Sequence, residues 1–279
     1  MKLANIQTGQ GIHLALSTPR GAVDVQAAGC PLSMTALLQG ADLMPLRRLL
    51  EDGSLPVVAE PRFADVVERP GKLLCVGLNY RDHTKGIHMK LPEKPVLFSK
   101  FNDALAPHGA AITLPPWEQS YDYEAELVIV MGRRAWGLSA EEAMACVFGY
   151  TCGNDLSCRD AQMRSGQWLI GKTMPGFGPC GPWVVTADEF DPDRPHRVRS
   201  RVNGELRQDG STADMIFRCA EVIAYASHYV CLEPGDLIFT GTPSGVALEQ
   251  REDKRRWVEP GDRIEVEIEG IGTLENRMV

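Results

Sequence analysis

None of the eight cysteines, at 30, 75, 146, 152, 158, 180, 219 and 231, forms a C-x-x-C pair. Zinc-ribbon and thioredoxin chemistry are thereby excluded. Most of these cysteines lie in apolar stretches, where a reduced thiol acts as a small core residue. The six histidines show no H-E-x-x-H spacing. Gly241-Thr242-Pro243-Ser244-Gly245 is not a G-x-S-x-G nucleophile elbow. No G-x-G-x-x-G follows a strand-like run, and there is no phosphate-binding G-x-x-x-x-G-K-[ST] loop. No apolar run approaches a membrane span. No block of like charge stands out, and the net charge is −8, so a nucleic-acid footprint is missing. The opening Met1-Lys2-Leu3-Ala4-Asn5 lacks the apolar core of a signal peptide, which makes the cytoplasm the expected location.

What is present is an ordinary globular composition, 44% hydrophobic and 24% charged. The 27 glycines and 19 prolines imply many turns, and the expected class is α+β, mostly β. Residues 1–70 read as a small N-terminal unit with a strand at Ile12–Leu16 and a helix around Leu43–Leu50. Pro70-Gly71 is a turn signal and marks the expected boundary with 71–279. Lys72–Gly77 and Pro95–Phe98 read as strands separated by a polar segment, Asn79–Glu93. Ser139 and Glu142 form a capping box that opens a helix of about three turns. A second helix is expected over Thr212–Tyr229, with Ile216, Ala220, Ile223 and Ala226 or Ser227 along its apolar stripe. Asn203-Gly204 marks a hairpin. Glu-Pro-Gly-Asp occurs at 233–236 and at 259–262 and reads as repeated turn chemistry.

The segment richest in chemistry is Tyr123–Met131. Alternation along a strand puts Glu124 and Glu126 on the same side, with Cα atoms roughly 6.6 Å apart. In Ile264–Glu269, acidic and apolar residues alternate throughout, as one wet face and one dry face require. Glu124 and Glu126 differ, because their face continues as Val128 and Val130 while Ala125, Leu127 and Ile129 fill the other. Carboxylates on a strand buried on both faces must be paired, protonated or bound to metal. Asp155 is the expected third ligand, and an oxygen-only set suits Mg²⁺ or Mn²⁺. Arg159, four residues on, is placed to orient a ligand carboxylate; a surface ion pair is its competing reading. Lys172 follows the apolar approach Trp168-Leu169-Ile170-Gly171, a site for holding a substrate carboxylate or an enolate. His83 is a candidate general base, although a lone histidine is more often structural.

These residues resemble the fumarylacetoacetate hydrolase family. The resemblance rests on ordered blocks: Gly77–His83, Tyr123–Leu127, Asn154–Asp160, Gly171–Thr173, Val202–Glu205 and Leu232–Asp236 running into Thr240–Pro243. It implies a rolled mixed β-sandwich catalytic domain, usually dimeric. It places Mg²⁺ or Mn²⁺ on Glu124, Glu126 and Asp155, and Arg159, Gln162, Lys172 and Thr240 around a small keto-acid substrate. It implies chemistry through a metal-held enol or enolate: C–C hydrolysis of 2,4-dioxo acids as the leading reading, with oxaloacetate decarboxylation or tautomerisation, or dienoate isomerisation, as alternatives. A metal-binding member with little or no catalysis is a further alternative. One departure stands out. Relatives often carry Glu three residues after the motif histidine to form a water-activating dyad, and here that residue is Gly86. Glu93 or His88 is a candidate substitute, and the balance is expected to tilt toward enolate chemistry simpler than hydrolysis.

Overall fold

The computed structural model describes residues 1–51, 55–86 and 89–279. Among these, two sheets face each other. The larger runs in the order Val57–Val58, Gly21–Asp24, Gly11–Thr18, Lys2–Thr8, Gly178–Thr186, Val147–Asn154, Ala125–Met131, Leu237–Phe239, Leu73–Gly77, Val96–Lys100. It is mixed: Leu237–Phe239 lies parallel to Leu73–Gly77, and its other neighbour is antiparallel. The smaller has Arg197–Val202 and Arg263–Ile268 at its centre. This is the mixed-sheet architecture expected from the sequence. The first 70 residues add strands to the larger sheet, where Lys2 and Leu3 register against Val185 and Val184.

The centre of the large sheet is buried on both faces, and every residue of Ala125–Met131 is inaccessible. Ala125, Leu127 and Ile129 face a core shared with Val198, Val266 and Leu274 of the second sheet. Val128 and Val130 face the opposite core, with Leu3, Leu14, Leu16 and Phe239. The strand Arg263–Ile268 alternates as expected between buried apolar and partly exposed positions.

The helix expected over 212–229 is shorter, Cys219–Ser227. Asn79 takes the preceding backbone: its carbonyl accepts from Ile216 N and its Oδ1 from Phe217 N, which withdraws both from a helical ladder. The capped helix at Ala140–Ala143 is also shorter and passes into a 3-10 turn. There the Cys146 carbonyl accepts from Gly132 and Arg133. Asn203-Gly204 forms the hairpin with both φ angles positive. The two Glu-Pro-Gly-Asp turns are built alike. In each, Gly has a positive φ, the Asp N–H donates to the Glu carbonyl, and the Asp side chain accepts the Glu N–H.

Candidate functional site

At the end of Ala125–Met131 the large sheet turns from hydrocarbon to charge. Glu124 and Glu126 lie on the side of Val128 and Val130. Asp155 follows the antiparallel neighbour Val147–Asn154, and its N–H donates to the Glu124 carbonyl at 3.0 Å. Asn154 Oδ1 accepts the Glu124 N–H at 3.0 Å, fixing the two strand ends together. One carboxylate oxygen from each of Glu124, Glu126 and Asp155 lies within 4.8 Å of the others.

Cations surround two of the three. Lys172, 2% exposed, donates to Glu124 Oε2 and to Asp155 Oδ2, both at 2.9 Å. It gets there because Leu169–Lys172 packs against Arg159–Met163 at Gly171. A Cβ on Gly171 would lie 2.3 Å from Gln162 N and 2.5 Å from Cys158 O. Arg159 is buried; it donates to Asp122 from Nε at 2.9 Å, to Gln162 Oε1 from Nη1 at 2.9 Å, and to Glu124 Oε1 from Nη2 at 2.6 Å. It is therefore a buried ion pair on the Glu124 carboxylate, not a surface one. Lys100 was not singled out in the sequence; it is buried and pairs with Asp155 Oδ1 at 2.5 Å. It shares with Lys172 one visible signal, a lysine at the end of an apolar run.

Glu126 is different. It is 1% exposed, accepts the Gly241 N–H at 2.8 Å, and has no cation partner among the described residues. Burial, reinforced by the charges of Asp155 and Glu124, holds its carboxyl well above the usual range. Burial acts in the same direction on Glu124, but Lys172 and Arg159 outweigh it and hold that carboxyl well below the usual range. For Lys172, burial opposes the charge, yet Asp155 and Glu124 raise its pKa above the ordinary value. The fit to a divalent cation rests on this imbalance: a buried, all-oxygen trio in which one carboxylate lacks positive charge.

These groups open into a cavity of about 590 Å³ lined by Glu124, Glu126, Arg159, Gln162, Lys172 and His83 among others. His83 sits in Arg81–Gly86, and its Nδ1 contacts Glu249 Oε1. Glu249 Oε2 in turn accepts from the Ser244 hydroxyl and from Gly245 N, the latter at 2.7 Å. The acid partner of His83 is thus Glu249, 166 residues away. This corrects the expectation of a substitute nearby in sequence. Glu93 is exposed and outside the cavity lining, and His88 lies outside the described residues. Thr240 also departs from expectation. It is fully buried, its hydroxyl donates to the Leu127 carbonyl at 2.8 Å, and Gly241 and Thr242 line the cavity in its place.

The sequence profile described as "Fumarylacetoacetate (FAA) hydrolase C-terminal" matches residues 72–279. The chain belongs to the fumarylacetoacetate hydrolase family. It is 38% identical over 278 residues to human "Oxaloacetate tautomerase FAHD2A, mitochondrial", covering 96% of this chain and 88% of the relative. Among solved structures, a fumarylacetoacetate hydrolase from Exiguobacterium antarcticum superposes with a TM-score of 0.88 at 33% identity, over 100% of this chain and 99% of that one. Fumarylpyruvate hydrolase from Pseudomonas aeruginosa, solved with Mn²⁺ and pyruvate, gives 0.69 at 33% identity over 80% and 92%. Such relatives are enzymes, and so is this member of the family. The expected cytoplasmic location is overturned, because the human relative and its bovine counterparts are named as mitochondrial. No described helix is long and apolar enough to cross a membrane.

Proposed function

We propose that this enzyme interconverts the enol and keto forms of oxaloacetate at one Mg²⁺ or Mn²⁺ held by Glu124, Glu126 and Asp155. The observation that carries the reading is the buried carboxylate trio, two of whose members, Glu124 and Glu126, line a cavity beside Lys172. Similarity to oxaloacetate tautomerases over nearly the whole chain supports the choice of substrate. A divalent cation bound there would polarise the substrate's 2-oxo group and favour the enolate. Lys172 uses two of its three N–H donors on Glu124 and Asp155, which leaves one for the substrate. Arg159 and Gln162, already joined to each other, bind the substrate carboxylate nearest the trio. In the keto-to-enol direction His83 takes a proton from C3 while the substrate's 2-oxygen gains one, and the reverse transfer restores the keto form. Glu249 holds Nδ1, and Nε2 has no partner among the described residues.

The same His83–Glu249 pair favours a second reading, C–C hydrolysis of an acylpyruvate, because an oriented imidazole is the equipment that deprotonates water. Both reactions share the enolate, and both fit a homodimer, the commonest assembly of soluble proteins. The test is a side-by-side assay of oxaloacetate enol–keto exchange, acetylpyruvate and fumarylpyruvate, with Mg²⁺ and with Mn²⁺, alongside light scattering. Accelerated exchange that Glu126→Ala abolishes supports the tautomerase. Exchange at the uncatalysed rate with both metals overturns it, and fast acylpyruvate cleavage would put the second reading in its place. A monomer mass at micromolar concentration refutes the dimer.

A further inference from the structure

A keto diacid brings two carboxylates into the cavity. One accompanies the 2-oxo group to the metal trio. The other must leave water, and a carboxylate that does so needs a cation. Four cationic side chains line the cavity. Arg159, paired with Asp122 and Glu124, and Lys172, paired with Glu124 and Asp155, have their remaining donors committed to the 2-oxo end of the substrate. Arg251 is paired with Asp253, both groups well exposed. The fourth, Arg255, has no carboxylate partner among the described residues.

We propose that Arg255 binds the distal carboxylate of the substrate and so selects keto diacids over keto monoacids. The side chain is held ready. Nη2 donates to the carbonyls of Leu248 at 3.1 Å and Gln250 at 3.0 Å, and the guanidinium lies 5.3 Å from the centre of the Trp257 ring. Nε is buried without a hydrogen-bond partner. A buried guanidinium nitrogen left unpaired is costly, and a carboxylate arriving along the cavity relieves that cost. Leu248 and Gln250, which fix Arg255, flank Glu249, so the segment that orients the histidine also presents this cation. Glu252 lines the same cavity and has no ion-pair partner within the described residues, so it repels a dianion. The contest between Glu252 and Arg255 falls to the arginine because its carbonyl tethers keep the charge in place. Binding makes and breaks no covalent bond.

The inference rests on the keto-diacid reading, and binding separates the two. Calorimetry on the Mn²⁺-loaded enzyme would compare difluoro-oxaloacetate, a diacid that cannot enolise, with pyruvate. Arg255→Gln is expected to weaken the diacid about tenfold or more, the scale of one charge-assisted contact. Pyruvate affinity should stay within about twofold, which also reports an intact fold and metal site. Arg255→Lys should recover part of the loss. Equal losses for both ligands, no loss for either, or a wild type that binds neither would overturn the assignment. A wild type that binds the diacid through Arg255 yet leaves oxaloacetate exchange at the uncatalysed rate would keep the anchor and discard the tautomerase.

Discussion

Gly86 and Glu249 compete for one space. A Cβ built on Gly86 would lie 2.7 Å from Glu249 Cδ and 3.0 Å from Oε1. The position where relatives often carry the dyad carboxylate is bare here, and a carboxylate from the far end of the chain fills the room beside His83. Gly86→Glu should therefore lower turnover by displacing Glu249. Loss of His83 as Asn is expected to cost on the order of 10² or more in kcat. Glu249→Gln should cost less, about tenfold, since the ring keeps its place but loses its anionic partner. Gly86→Glu combined with Glu249→Ala should recover activity relative to either change alone. Steady-state kinetics on these five variants and the wild type decides; a gain in Gly86→Glu alone would show that the two side chains do not exclude one another.

Glu126 carries a prediction with two signs. Glu126→Gln keeps an oxygen for the Gly241 N–H but removes a buried carboxyl that must either hold a proton or carry an uncompensated charge. Without metal, the variant should melt at or above the wild-type temperature, because near neutral pH the wild type must take up that proton on folding. With Mn²⁺, the wild type should gain about 2.7 kcal/mol when free metal is a hundred times Kd, and the variant should gain almost nothing. Thermal melts with metal and with chelator test this. A metal-induced rise of equal size in both proteins would remove Glu126 from the ligand set.

Lys172→Met leaves Glu124 and Asp155 short of a shared cation. Breaking such a buried pair costs about 3–5 kcal/mol, so the variant should melt earlier. Turnover or keto-acid affinity should also fall at least tenfold, on the scale of a lost charge-assisted contact. Denaturant melts and pyruvate titration read the two effects separately. A protein of native stability and affinity would sink the role given to Lys172.

The raised carboxyl of Glu126 gives metal binding a proton dependence. A divalent cation needs the carboxylate, so binding displaces a proton at any pH below the Glu126 value in the metal-free fold. Affinity should rise with pH until that value is passed, and then level off. For the metal-free fold, the raised value means that this group's stabilising contribution is full below its unfolded pKa and is lost as pH rises through its folded pKa. Calorimetry of Mn²⁺ binding in buffers of different ionisation enthalpy counts the protons. A heat that does not change with buffer would contradict the assignment.

Much of the site was legible because strand alternation is local. Glu124 and Glu126 share a face with Val128 and Val130, as the two-residue period requires, and the contrast with Ile264–Glu269 separated a buried strand from a half-wet one. The turns at 233–236 and 259–262 were legible for the same reason. Glu249 was not legible, because its meaning comes from contacts with His83, Ser244 and Gly245 that exist only after the chain has folded back across the cavity. Lys100 carried the same signal as Lys172, a lysine ending an apolar run, but its partner Asp155 arrives from a distant strand. The helix boundaries near 212–219 failed because Asn79, far away in sequence, captured the backbone that periodicity had assigned to a helix.

The antiparallel pairing of Lys2–Thr8 with Gly178–Thr186 also bears on how the protein can be cut. The family profile begins at residue 72, which invites expression of the matched part alone. That fragment would bare the flank of Gly178–Thr186 and strip Leu3, Leu14 and Leu16 from the core they share with Val128, Val130 and Phe239. An uncovered central strand beside exposed hydrocarbon is a template for another chain. Shortened versions are expected to aggregate, because the leading strands cover the flank and the hydrocarbon of the sheet that carries the carboxylates.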